Sequence, residues 1–261
     1  MEFRDKTFVL GVGAQKAGTS WLFEYLSGRG DIYMPRKELH FFDAKFGPLA
    51  RRKRRRIRQR ATGAKRGKNE MLAIKSQGDP GLYRKYFESR IPAHLKLFGE
   101  ISPSYALIGE DGFRAVRELF PNVRVIFLMR DPISRFYSQL RMEIGRRGTT
   151  RALKRIAGKR RSELLARSRY EQTLQSLDQV FAPSEVLCLF YETLFCRNSI
   201  QSLCRFLDVP YAEPDFQKIV NASESETSPV EEDVIAELGP TYRYCRERFG
   251  PGLPATWSQL D

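Results

Sequence analysis

Short apolar runs alternate with stretches of helical spacing along most of the chain. Phe8 to Gly11 is a strand-like run, and Thr19 to Leu26 then sets Trp21, Leu22, Tyr25 and Leu26 at helical spacing. Tyr83 to Phe87 reads as a helix, and Leu97 to Ile101 as a strand. Pro103 cannot prolong that strand, because proline has no amide to give to the ladder. Phe113 to Phe120 predicts a helix stopped by Pro121 and Asn122, and Arg124 to Met129 is apolar enough for a strand buried on both faces. Pro132 suits the first turn of the next helix, whose apolar side is Phe136, Tyr137 and Leu140, so Ser138 falls about two turns in. Ser162 to Leu177 has the spacing of one helix, through Leu165, Tyr170, Leu174 and Leu177. A strand over Glu185 to Phe190, a helix over Asn198 to Leu207 and a last helix over Val230 to Phe249 complete the pattern. Strands punctuated by helices predict an α/β fold, a three-layer α/β/α sandwich around a central parallel sheet. Ligands then bind outside the carboxyl ends of the strands.

At 261 residues the chain suits one domain spanning 1–261. Its formal charge of +14 is concentrated in two segments. Residues 51–68 hold eleven Lys and Arg and no acid, and residues 141–169 hold eleven against Glu143 and Glu163. A positive field beside a site concentrates anionic ligands, but solvated helix faces have the same composition, and both readings stay open here. Ile57 alone offers apolar burial in the first segment, so residues 49–70 read as a basic surface insertion, exposed and mobile. Cys188, Cys196, Cys204 and Cys245 contain no Cys-x-x-Cys pair, which fits reduced thiols rather than a metal site or a disulfide frame. No run of about 18 apolar residues is present, and the charged N-terminus passes straight into the first strand. The expectation is a cytoplasmic protein, unless the sequence is the trimmed ectodomain of a Golgi enzyme.

Chemistry gathers in residues 7–26, TFVLGVGAQKAGTSWLFEYL. A strand, a glycine-hinged loop and a helix follow one another directly. Gly13 and Gly18 can take backbone angles closed to other residues, the first amides of the helix lack internal partners, and the helix dipole adds positive charge there. Such a turn holds a phosphate. The spacing approaches the nucleotide-binding Gly-x-x-x-x-Gly-Lys-Ser/Thr loop, but Thr19 follows Gly18 and Lys16 lies inside the loop. That displacement argues against an ordinary ATPase or kinase.

Gly13-Ala14-Gln15-Lys16-Ala17-Gly18-Thr19-Ser20-Trp21-Leu22 resembles the 5′-phosphosulfate loop of the sulfotransferases that use 3′-phosphoadenosine 5′-phosphosulfate (PAPS) and release adenosine 3′,5′-bisphosphate (PAP). Three more segments follow in that family's order. Pro35-Arg36-Lys37-Glu38-Leu39-His40-Phe41-Phe42-Asp43 is similar to the Lys-Glu-x-His-Phe-Phe segment of the carbohydrate-modifying, heparan sulfate-like branch. Gly99-Glu100-Ile101-Ser102-Pro103-Ser104-Tyr105 is similar to its Glu-x-Ser/Thr-Pro-x-Tyr segment, and Val125-Ile126-Phe127-Leu128-Met129-Arg130-Asp131-Pro132 with Ser138 resembles the 3′-phosphate element. The similarity spans residues 7–140, runs on more weakly through Tyr191-Glu192, and is that of a soluble bacterial-type member.

The resemblance implies sulfuryl transfer from PAPS to a hydroxyl, or an amine, of a carbohydrate or small molecule. Such in-line transfer asks a protein for alignment and for stabilisation of leaving-group charge, and requires no metal in principle. Gln15, Lys16, Ala17, Gly18, Thr19, Ser20 and Trp21 would contact the donor, with Lys16 near its bridging oxygen. Arg130, a planar charged fork, and Ser138 would hold the 3′-phosphate. Glu38 or His40 is the candidate base, and the resemblance favours Glu38. An extended segment would project both from one face, so that His40 orients or shares the proton; a purely structural histidine is the rival reading. Phe41 and Phe42 read as core. Lys37, Glu100, Ser102 and Tyr105 would line the acceptor cleft. Ile101 stands where the glycosaminoglycan enzymes commonly have lysine, and the late basic loop that serves the 3′-phosphate is absent, which leaves Arg169 or another basic residue to supplement Arg130. A P-loop kinase would need a lysine after Gly18 and an acidic metal site, for which Asp131 is the nearest residue. A polyanion-binding protein would work through the two basic segments; aromatic residues are not interleaved with those charges, so specific nucleic-acid recognition is not expected.

Overall fold

A computed structural model of the chain describes residues 3–48, 50, 55, 74, 78–156, 159–217 and 232–258. Its centre is a parallel sheet of β1 (Thr7–Gly13), β2 (Ile32–Tyr33), β3 (Leu97–Ile101), β4 (Val123–Met129) and β5 (Val186–Phe190), in the order β2-β3-β1-β4-β5. Parallel neighbours need crossover connections, which the flanking helices supply. These are α1 (Thr19–Ser27), α2 (Pro80–Glu88), α3 (Gly109–Leu119), α4 (Pro132–Arg147), α5 (Thr149–Ile156), α6 (Lys159–Ala166), α7 (Tyr170–Asp178), α8 (Tyr191–Leu194), α9 (Arg197–Leu207) and α10 (Glu232–Phe249). The expected α/β sandwich is the observed one.

Burial on both faces explains the unbroken apolar runs of β1 and β4: Phe8 to Leu10 and Val125 to Met129 are all inaccessible to solvent. Phe3, Phe8, Phe87, Phe98 and Phe120 pack as one aromatic cluster, in which the rings of Phe8 and Phe120 stack at 4.0 Å. Helix starts follow local chemistry. Asp79 accepts the Gly81 amide at 2.7 Å ahead of Pro80, and Asp131 accepts the Ser134 amide at 2.7 Å ahead of Pro132.

From β1 the chain moves outward to β2 and β3, then crosses to β4 and β5 on the other side. Strand order therefore reverses between β1 and β4, and a crevice opens at their carboxyl ends. Gly11 pairs with Ile101 on one flank and Ile126 on the other, which brings the ends of β1, β3 and β4 to one edge.

Two expectations change. The single helix over Ser162 to Leu177 is two, α6 and α7, broken around Ser168. Ser168 is fully buried there, donating to the Pro132 carbonyl at 2.8 Å and accepting from Arg135 Nε at 2.5 Å, contacts that a continuous exposed helix face would not make. The short β2 and the helix α5 within the second basic segment were not foreseen. Residues 49–70, the expected insertion, lie outside the described residues apart from Ala50 and Arg55. Among the described residues no helix is long and apolar enough to cross a membrane, and all four cysteines are free.

Candidate active site

The loop between β1 and α1 is shaped by two left-handed residues, Lys16 (φ 74°) and Gly18 (φ 87°). Glycine is required at position 18 twice over: by its φ, and because a Cβ would lie 3.1 Å from Tyr191 Cδ2 and 3.2 Å from Leu194 Cδ2. As N-cap residue Gly18 has no side chain to satisfy the first amides of α1, and the first turn of α1 carries no acid. The helix thus opens with its positive end uncompensated. Lys16 is half-buried, and its ammonium pKa is lowered first by burial and then by Arg130, Arg141, Arg146 and Arg135. Like charges have converged on one place, as an anion site requires.

Arg130 leaves the carboxyl end of β4 and turns back to this loop. Its Nη1 donates to the Lys16 carbonyl at 3.4 Å, and its guanidinium lies 4.5 Å from the centre of the Tyr191 ring. The Tyr170 hydroxyl donates to the Arg130 carbonyl at 2.7 Å. Asp131 is occupied elsewhere, capping α4 and accepting the Tyr242 hydroxyl. Ser138 lies on α4 as expected but is only 2% exposed, set in the wall. Arg169, offered as a supplementary anion ligand, instead pairs with Glu237 at 3.1 Å. Beside Arg130 a cavity of about 670 Å³ opens between Tyr191, Glu192, Phe195, Ile235 and Trp257, within the usual size of small-ligand sites.

The other predicted loop residues differ in what they offer. Ala17 and Thr19 are buried, and Gln15 gives its carbonyl to Arg135 Nη1 at 3.4 Å. Trp21 is 4% exposed, its indole among Tyr25, Phe195 and Phe216 and its N–H on the Asp215 carbonyl at 3.3 Å. Its ring is core packing, so the expected donor contact falls to its backbone. Ser20 accepts Lys37 Nζ at 2.7 Å, and the same ammonium lies 3.4 Å from Glu38 Oε1.

The segment carrying Glu38 and His40 is not extended as the sequence suggested. Both residues are left-handed, with φ 59° and 57°. They nevertheless meet: His40 Nε2 lies 3.2 Å from Glu38 Oε2. On its other side, His40 Nδ1 is 2.9 Å from Asp43 Oδ2 and 3.1 Å from Ser104 Oγ. The imidazole is held between two carboxylates. The contacts with His40, then with Lys37, hold the Glu38 carboxyl down at about 2, against burial, so Glu38 is ionised in all ordinary buffers.

What forces this backbone lies beneath it. Glu100, Ser102 and Tyr105 are wholly buried, so they do not line an acceptor cleft as expected. They hold the loop from below. Glu100 accepts the Leu39 amide at 3.0 Å, the Ser102 hydroxyl at 2.5 Å, the Tyr105 hydroxyl at 2.7 Å and the Tyr83 hydroxyl. Ser102 in turn accepts the His40 amide at 3.3 Å, Tyr105 the Phe41 amide at 2.9 Å, and the Ile101 carbonyl the Glu38 amide at 2.9 Å. Consecutive amides all pointing down to one buried cluster cannot lie in an extended strand, whose amides alternate sides. Burial pushes the Glu100 carboxyl up, opposed by the hydroxyls of Ser102, Tyr83 and Tyr105. Phe41 and Phe42 are core, as read.

Sequence reasoning missed Asp43, Ser104 and Tyr83. Asp43 had a signal, since it ends the same segment three residues after His40. Tyr83 had none, because it arrives from α2.

A family model described as "Sulfotransferase family" matches residues 9–213. No curated protein matches the chain. Among solved structures, the chain is similar to a sulfotransferase from Alicyclobacillus acidocaldarius at 22% identity and TM-score 0.71, covering 97% of this chain and 99% of that one. It is also similar to the sulfotransferase domain of the Synechococcus PCC 7002 olefin synthase, at 17% identity, TM-score 0.56 and 95% of both chains. The sulfotransferase domain from the curacin biosynthetic pathway matches at 20% identity and TM-score 0.50, over 79% of this chain and 75% of that one. These likenesses are of fold.

Proposed function

Since the chain belongs to the sulfotransferase family, we propose that it moves a sulfuryl group from PAPS to a hydroxyl of a carbohydrate or small molecule, releasing PAP. The observation that carries this reading is the Lys37 ammonium, which touches Ser20 of the phosphate loop at 2.7 Å and Glu38 at 3.4 Å. The candidate base and the loop proposed to bind the donor thus meet on one ammonium, which sets acceptor and donor side by side.

In this reading the amides from Lys16 to Ser20 hold the donor's 5′-phosphate and the Lys16 ammonium stabilises charge on the bridging oxygen as its bond to sulfur breaks. Arg130 takes the 3′-phosphate, with the cavity beside it for the nucleoside. The acceptor oxygen forms the new bond to sulfur and its proton passes to Glu38. A carboxylate held near 2 is a weak base. Transfers of this type lean on charge stabilisation more than on nucleophile activation, so a late proton transfer suffices. Asp43 and His40 fix the orientation of Glu38. Lys37, once drawn toward the donor, releases its hold on Glu38 and raises its basicity at the moment of use.

The test is incubation with sulfur-labelled PAPS and a panel of sugars, lipids and phenols, beside Glu38→Gln. Labelled product from the wild type and its near-absence with Glu38→Gln are expected. Equal product from both removes Glu38 from its role, and no turnover or PAP binding by the wild type removes the donor.

A further inference from the structure

We propose that Arg141, on α4, is the second strong ligand of the donor's 3′-phosphate beside Arg130, reaching past the buried Ser138. The inference rests on the donor reading above and adds a residue that no motif marks.

Ser138 and Arg141 are three residues apart on α4, and residues so spaced share a helix face. Arg130 stands just before the start of the same helix. Arg141 is half-exposed, yet its Nε is buried and has no hydrogen-bond partner. A buried guanidinium N–H without a protein acceptor is uncommon and is open to a water or a ligand. Burial, then the charge of Arg130, lowers the pKa of Arg141, and Arg141 follows Arg130 among the charges that lower Lys16. The three cations therefore lie close enough to repel one another.

Acids on the neighbouring elements are engaged elsewhere, except that Glu192 Oε2 is buried without a partner. Glu143 pairs with Arg147 at 3.0 Å, Asp131 caps α4, and Glu192 Oε1 accepts the Asp131 amide at 2.7 Å. Among the described residues neither Arg130 nor Arg141 has a carboxylate ion-pair partner, whereas a phosphate dianion between them would relieve their repulsion. The near-complete burial of Ser138 leaves little of its hydroxyl to a ligand, so the second strong contact falls to a residue that reaches past it. A guanidinium fork suits that task, matching a phosphate edge through two parallel hydrogen bonds.

The experiment is calorimetric titration of wild type, Arg141→Gln and Arg141→Lys with PAP and with adenosine 5′-monophosphate. Expected is a loss of about 10- to 100-fold in PAP affinity for Arg141→Gln, with the monophosphate changed less than about threefold and Arg141→Lys in between. A melting temperature of ligand-free Arg141→Gln at or above that of the wild type is also expected, because repulsion is removed. Unchanged PAP affinity, or equal loss of both nucleotides, overturns the role of Arg141 while leaving the donor reading standing. A wild type that binds PAP no better than the monophosphate overturns both.

Discussion

Lys16 and Glu38 test the chemistry one side chain at a time. Lys16→Ala removes the only ammonium within the loop but none of the amides proposed to hold the 5′-phosphate. Turnover should fall about 10²- to 10³-fold, the usual consequence of losing one positioned charge-stabilising donor, while PAP affinity changes little. Single-turnover rates and titration of the same variant separate the two, and a proportional loss in both would make Lys16 a plain binding residue. Glu38 makes a prediction about pH. Its folded pKa lies near 2, below the ordinary 4.5, so the ionised form is the one favoured by folding. The associated stability is complete above 4.5 and is lost as pH falls through 2, and it is modest because the carboxylate is 41% exposed. A kcat/KM profile should accordingly show no carboxylate limb between pH 4 and 5. His40→Ala removes the hydrogen bond that contributes most to the depression, and a limb should then appear there. A wild-type profile already falling with a midpoint near 4.5 would mean that His40 does not hold Glu38.

The loop of residues 37–43 and the elements beneath it behave as one unit. Tyr105→Phe takes away the acceptor of the buried Phe41 amide and a donor to Glu100 at 2.7 Å, without opening a cavity. An unsatisfied buried amide costs about 1–3 kcal/mol, so the unfolding free energy from a urea titration should drop by that amount, with a lower midpoint. The acceptor KM or kcat should worsen with it, while PAP affinity, which the proposed site draws from the ends of β1 and β4, stays put. If PAP binding fell equally, the loop and the phosphate site would not be separable. This division also sets what the sequence could reveal. The phosphate loop was readable because strand, glycines and helix are contiguous, and the apolar runs of β3 and β4 gave their own boundaries within a residue. The left-handed backbone of Glu38 and His40 was not readable, since Glu100, Ser102 and Tyr105 impose it from β3 and its following turn. Nor was the partnership of Tyr83 with Glu100, which requires α2 to pack on that strand. The break between α6 and α7 has the same origin: Ser168 is drawn inward by Pro132 and Arg135, partners more than thirty residues away.

Across the whole molecule, a net charge of +14 means that almost any polyanion will adhere, and a donor site must be told apart from that background. The candidate site unites the carboxyl ends of β1 and β4 and the face of α4, elements that the sheet order brings together from residues 13 to 141. A ligand spanning them should stabilise the fold as a whole. At a concentration 100 times its Kd, PAP would add about 2.7 kcal/mol, which for a domain of this size corresponds to roughly 5–10 °C in Tm. Non-specific adhesion through the basic segments screens steeply with salt and does not distinguish one phosphate ester from another. The expected result is a rise with PAP that persists at high salt, shrinks in Arg130→Ala and is not reproduced by inorganic pyrophosphate at equal charge. Were pyrophosphate to match PAP at every salt concentration, the convergence of Lys16, Arg130 and Arg141 would be a general anion trap, and selection of a nucleotide by both of its phosphates would have no physical basis in this fold.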